Sequence, residues 1–143
     1  LELGSKLANP FKLGDITFSY SYLKMVDIQN SGPILYRPAH KVNIGLTKKL
    51  SYMNISLMFR YKSTQQYEDF LSTDHPTVNN TVRFPIKILP DLFLFDLKLS
   101  KIFSGFEAEL SIKNIFNQDY VLIQNYPMPG TTWHINFSKT INE

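Results

Sequence analysis

Apolar and polar residues alternate along most of this chain with a period of two, the spacing of a strand whose faces differ. Over residues 15–24, Ile16, Phe18, Tyr20 and Tyr22 share one face, and Asp15, Thr17, Ser19 and Ser21 the other. Over 41–49, Val42, Ile44 and Leu46 oppose Lys41, Asn43, Gly45 and Thr47. Over 53–62, Met53, Ile55, Leu57, Phe59 and Tyr61 oppose Asn54, Ser56, Met58 and Arg60. Residues 92–103 are apolar on both faces at first, then resolve into Leu97 and Leu99 against Asp96, Lys98 and Ser100. Over 106–114, Phe106, Ala108, Leu110 and Ile112 oppose Glu107, Glu109, Ser111 and Lys113. The last run, 132–141, sets Trp133, Ile135, Phe137 and Ile141 against Thr132, His134, Asn136, Ser138 and Thr140. The pattern predicts six full strands, with residues 1–7 as the tail of a seventh. No stretch keeps a helical period. All 8 Pro fall between the runs, as they must, since proline cannot donate to a strand ladder.

The connections alternate in length. Residues 8–14, 50–52 and 104–105 are short; 25–38, 63–91 and 115–130 are long. In an antiparallel meander every short turn then falls on one edge of the sheet and every long loop on the other. Outer-membrane barrels have this asymmetry, with short periplasmic turns and long extracellular loops. Charge on the apolar faces is confined to run ends, at Lys24, Lys48, Lys101 and Lys139. The last three belong to the short-turn rim, where long amines can reach water. Tyr22, Tyr61 and Trp133 stand near strand ends, where aromatic girdles belong. The same alternation would also serve a soluble lipocalin-like barrel with its apolar face turned inward around a small ligand. The length of 63–91 and the bulk of the apolar faces weigh against that alternative.

Composition narrows the classes further. The chain has 143 residues, 15 Lys plus Arg, 12 Asp plus Glu and a net charge of +3. The scattered cations do not suggest a nucleic-acid binder. The absence of Cys excludes disulfide scaffolds, thiolate zinc sites and cysteine nucleophiles. Aromatic residues make up 14%, yet the mean hydropathy is only −0.16, so the apolar groups are sorted rather than merely abundant.

Catalytic and metal chemistry finds little to use. Glu107 and Glu109 lie on one strand face, roughly 6.5–7 Å apart along it, and lumen-facing polarity, or pairing with Lys98 and Lys113, is the expected role. His40, His75 and His134 are far apart, without His-x-His or His-Glu-x-x-His spacing, so no metal site is expected. Ser138 and His134 share a face but stand four residues apart, too far for a nucleophile and its base. No catalytic residues, cofactor or enzyme activity are therefore expected.

Several stretches resemble the C-terminal β-barrel portion of TonB-dependent outer-membrane receptors. LSIKNIFNQDY over residues 110–120 is similar to the family's penultimate strand and following loop. YPMPG over 126–130 is similar to the Pro-x-Pro-Gly before its final strand. FSYSYL over 18–23, followed by YRPAH over 36–40, resembles an earlier strand, loop and next strand start. Two positions depart: Thr131 stands where the family has Arg, and Ile141 with Asn142 and Glu143 where it ends in Phe.

The resemblance implies an all-β, antiparallel up-and-down transmembrane β-barrel segment, six or seven strands of a larger barrel, in the bacterial outer membrane. Such transporters have 22 strands and a plugged lumen. Residues 1–143 would then be the C-terminal barrel part, with the plug domain and the TonB-contacting segment belonging to the rest of the receptor. The implied function is uptake of a scarce, large nutrient (a ferric siderophore, haem or cobalamin) powered through TonB. The implied partners are the plug and N-terminal barrel strands, TonB, outer-membrane lipid and the nutrient. Ligand contact is expected from loops 25–38 and 63–91, with Tyr36, Arg37, Tyr67, Asp69, Phe70, Asp74 and His75 as candidates. Tyr36 and Arg37 also read as a loop-to-strand junction.

Overall fold

The computed structural model describes residues 1–10, 13–24, 34–73, 77–78, 81–82 and 84–139. Thirteen strands occur in them: β1 Glu2–Leu7, β2 Asp15–Tyr22, β3 His40–Lys49, β4 Asn54–Lys62, β5 Gln65–Glu68, β6 Thr77–Val78, β7 Thr81–Val82, β8 Ile86–Leu89, β9 Leu92–Phe103, β10 Phe106–Lys113, β11 Val121–Ile123, β12 Tyr126–Pro127 and β13 Thr132–Lys139. Seven of them form one antiparallel sheet in the order β1-β2-β3-β4-β9-β10-β13. That is a meander in chain order, open at β1 and at β13. The segment 1–7 is thus a full strand, paired along its length with β2. Among the described residues no helix is long and apolar enough to cross a membrane.

Residues directly opposed in an antiparallel pair lie on the same face of a sheet, so the register sorts every side chain. Phe18 faces Ile44, and Ile44 faces Phe59. Two residues along from Phe59, Leu57 faces Leu97. Leu99 faces Leu110, and Leu110 faces Ile135. Phe18, Ile44, Leu57, Leu110 and Ile135 therefore share one face, as the alternation predicts. Thr17, Asn43, Ser56, Glu109 and His134 share the other by the same counting.

Each face has its own adhesive. On the apolar face, opposed rings meet across strands: Tyr61 and Phe93 at 4.9 Å between centroids, Phe59 and Phe95 at 4.8 Å. Pairs of this kind contribute about 0.5–1.5 kcal/mol beyond their buried area. On the polar face, short side chains bond their opposites. Asn43 Nδ2 donates to Ser19 Oγ at 3.0 Å, and the Thr47 and Ser56 hydroxyls meet at 3.1 Å. Lys98 Nζ and Glu109 Oε2 form an ion pair at 2.7 Å, which gives Glu109 the pairing role expected of it.

The turns follow from the sequence. Ser104 and Gly105 both take positive φ, 48° and 78°, the two left-handed positions of a type I′ hairpin whose twist matches the strands it joins. At the opposite edge the long connections are partly built, where the period-two reading gave only loops. β5 pairs with β8, β6 with β7, and β11 with β12. These ribbons have two to four residues per strand, too short for alternation to register.

Candidate functional site

The site is assembled at the long-loop edge, on the polar face. Its anchor is the turn after β10. Asp96 Oδ1 accepts the Asn114 backbone N–H at 2.9 Å. Asn114 takes φ 52°, which asparagine tolerates better than most residues, and the chain leaves the sheet there. Asn114 Nδ2 donates to the Gln118 carbonyl at 2.8 Å, and the Gln118 N–H donates back to Asn114 Oδ1 at 3.0 Å. From the far end of the loop, Thr131 closes the ring. Its Oγ1 donates to the Asn114 carbonyl at 2.8 Å and its N–H to Asn117 Oδ1 at 2.9 Å. The Asn-Ile-Phe-Asn run is therefore a clasp that joins the two ends of an 18-residue connection.

What the clasp holds is the β11–β12 ribbon. Its Leu122 and the adjoining Tyr120 and Met128 form one wall of a cleft of about 410 Å³ whose other wall is the polar face of the sheet. Leu92 and Leu94 belong to the polar face by register, opposite Lys62 and Arg60. They line this cleft and are only 8% and 4% exposed, which explains why residues 92–94 read as apolar on both sides. The polar lining is cationic: Arg60, Lys62 and Lys113, with His134 nearby. Asp96 Oδ2 takes Arg60 Nη2 at 2.6 Å. Lys62 stands directly opposite Lys41, and like charges so placed on a sheet repel.

The second long connection packs alongside. Gln65 Nε2 donates to the Leu122 carbonyl at 3.1 Å, joining β5 to the β11–β12 ribbon. The Tyr36 N–H donates to the Gln66 carbonyl at 2.7 Å, and the Tyr36 and Tyr67 rings stand 6.3 Å apart. Arg37 shares a cleft of about 270 Å³ with Tyr22, Leu23, Gln65, Gln66 and Ile88. Gln66 Oε1 is buried in that region without a hydrogen-bond partner among the described residues.

The sequence candidates thus have different fates. Tyr36, Arg37 and Tyr67 come together at the junction of two loops, with Tyr67 buried. Asp69 is tied inside the β5–β8 hairpin. Its Oδ2 takes Lys87 Nζ at 2.6 Å, its Oδ1 the Leu71 N–H at 3.3 Å, and its own N–H donates to the Pro85 carbonyl at 3.0 Å. The Lys87 hydrogen bond holds the Asp69 carboxyl below its ordinary range, and Asp69 in turn raises the Lys87 ammonium. Phe70 packs edge-on against Phe84 at 4.9 Å, near the tip. Asp74 and His75 lie outside the described residues, as do Ile141, Asn142 and Glu143. Sequence reasoning missed Arg60, Lys62 and Lys113 as a group, because they come from two strands that β9 brings within reach. The signal was present only as three cations on polar faces, each near a long loop.

Among the described residues no cluster of three His, Asp or Glu could hold a metal ion. No protein-family model and no curated protein matches the chain.

Proposed function

We propose that this chain is a wall segment of a TonB-dependent outer-membrane receptor. It would stand with its apolar face in lipid and its cationic cleft toward the lumen, and would help carry a large nutrient inward. The observation that carries this reading is the side on which the loop lies. The β11–β12 part of the 114–131 connection lies over the polar face and its Phe116 reaches the apolar one at Phe95, while large apolar-face residues of the interior strands stay open, Phe18 at 39%, Ile44 at 39% and Leu57 at 44% exposed. A lipocalin-like barrel would turn those residues inward; a membrane barrel turns them outward.

The height of the apolar face fits. Phe93 to Phe103 spans ten steps of β9, with Lys101 the one charge on that face and two residues from its short-turn end, where a long amine can reach water; the span is about 34 Å at ~3.4 Å per residue. A tilt of about 45° projects this to about 24 Å, close to the ~25 Å apolar band of outer-membrane barrels. Aromatic side chains gather at the long-loop end, with Tyr22 against His40 at 5.0 Å and Phe116 edge-on to Phe95 at 5.0 Å. The open edges at β1 and β13 would be closed by further strands of the receptor, since unpaired edges are not tolerated in hydrocarbon. The excess of cations in the cleft suits a cargo with acidic groups, which would also relieve the Lys41–Lys62 repulsion.

Trp133 is the single tryptophan, so its fluorescence reports one position on the apolar face. In bilayers it should emit in the blue and be quenched by lipids brominated along the acyl chain. Water-like emission with no quenching would reject the membrane reading. The transporter reading has its own test: the coding sequence upstream of Leu1 should specify a plug domain and a TonB-contacting segment. A passive porin or an outer-membrane enzyme barrel would have neither.

A further inference from the structure

The apolar face carries charge in a restricted way. Across the seven strands of the sheet, register places Lys48, Lys101 and Lys139 on that face and no acidic residue. All three lysines lie toward the short-turn edge. Lys48 and Lys139 stand two strands to either side of Lys101 and two residues off its level in opposite directions, about 12 Å away by strand spacing and rise. None of the three forms an ion pair among the described residues. Lys139 rests its ammonium 5.1 Å from the centre of the Phe106 ring.

A trough lies beside them. Lys101 faces Ala108 across the β9–β10 pair. Ala108 is the one small side chain among the bulky apolar-face residues of β10, Phe106, Leu110 and Ile112. The gap it leaves opens into a groove of about 410 Å³, bounded by Tyr52, Leu99, Lys101, Leu110, Ile135 and Phe137. An apolar trough with a cation in its wall, and two more cations flanking it, is complementary to one molecule: a lipid with an anionic headgroup and an acyl chain.

We propose that this groove is a binding site for an anionic glycerophospholipid of the leaflet at the short-turn rim. One acyl chain would lie over Ala108, the phosphate would pair with Lys101, and the flanking lysines would add longer-range attraction for the same negative charge. A neutral or zwitterionic lipid offers the same chain without the net charge. The lysines therefore select among lipids, and the trough fixes where the selected lipid sits. The site rests on the membrane reading above.

The test is native mass spectrometry of the protein purified from membranes in detergent, with phosphatidylglycerol or phosphatidylcholine added. The wild type should retain phosphatidylglycerol in preference to phosphatidylcholine. Each charge removed near a bilayer surface weakens such attraction about five-fold, so Lys101→Gln and Lys139→Gln should each erode the preference by about that factor. Ala108→Trp fills the trough and should lower retention of both lipids. Lys24→Gln, at the opposite end, should change nothing. Equal retention of the two lipids by the wild type overturns the proposal, and so does a preference that survives both lysine substitutions together. Strand content by circular dichroism shows that each variant is folded. Recovery of the protein from the soluble phase without detergent would reject the membrane reading instead, and Trp133 quenching separates that failure from the failure of this site.

Discussion

Asn114 shows how much one residue can decide. Its N–H, its carbonyl and both ends of its amide are all engaged, with Asp96, Thr131 and Gln118, and it is only 3% exposed. A polar side chain so buried must be satisfied, because each orphaned group costs about 1–3 kcal/mol. Gly130 works with it for a steric reason: a Cβ there would run into Asn117 Oδ1, the acceptor of the Thr131 N–H. Gly130→Ala should therefore lower stability by about 1–3 kcal/mol, as overpacking does. It should be read as a lower urea midpoint with an unchanged slope. An unchanged midpoint would mean that Asn117 swings aside at no cost.

At the scale of elements, the short ribbons beyond the sheet depend on single polar links more than on packing. The β5–β8 hairpin closes with the Asp69–Lys87 pair. Asp69 is lowered in the folded state, so its contribution is present above the ordinary carboxylate range and is lost as pH falls through the lowered value. Lys87 is raised, so its contribution is present below the ordinary lysine value and is lost as pH rises through the raised one. Hydrogen-exchange protection at the amides of 65–68 and 86–89, taken relative to the intrinsic exchange rate at each pH, should be greatest in the wide window between those limits and fall at either extreme. Asp69→Asn should remove the acid limb and leave exchange in β3 and β4 unchanged. An acid limb that persists in Asp69→Asn would assign it to another carboxylate.

At the scale of the whole molecule, what matters is which face is wet. Adjacent residues of β4 offer a matched pair, since Leu57 and Ser56 point to opposite faces. In a bilayer, Leu57→Arg should cost ~2–4 kcal/mol near the midplane, while Ser56→Arg, on the polar face beside Lys98, should cost far less. Unfolding in lipid vesicles measures both. Equal costs would show that the faces do not differ in solvent.

Much of this architecture was legible in the sequence because it is local. Side chains alternate on a strand whatever it pairs with, so strand extents, both face sets and the position of every short turn follow from spacing alone. The boundaries moved only slightly: Leu23, Lys24, Met53 and Asn114 lie just outside the strands predicted to include them. The site was legible only in part. Tyr67 and Asp69 looked like groups presented to a ligand, but a tyrosine can fill a small core and an aspartate can close a hairpin. Sequence spacing cannot distinguish those roles from an exposed one.

Sequence by itself determined a sorted antiparallel meander, since period-two patterning needs no distant partner to be defined. Only the tertiary structure decided that the clasp from Asn114 to Thr131 lays a ribbon over the polar face, burying Leu92 and Leu94 and setting Arg60, Lys62 and Lys113 around one cleft. That outcome depends on contacts between residues far apart in the chain, and their geometry exists only once β4, β9 and β10 are side by side.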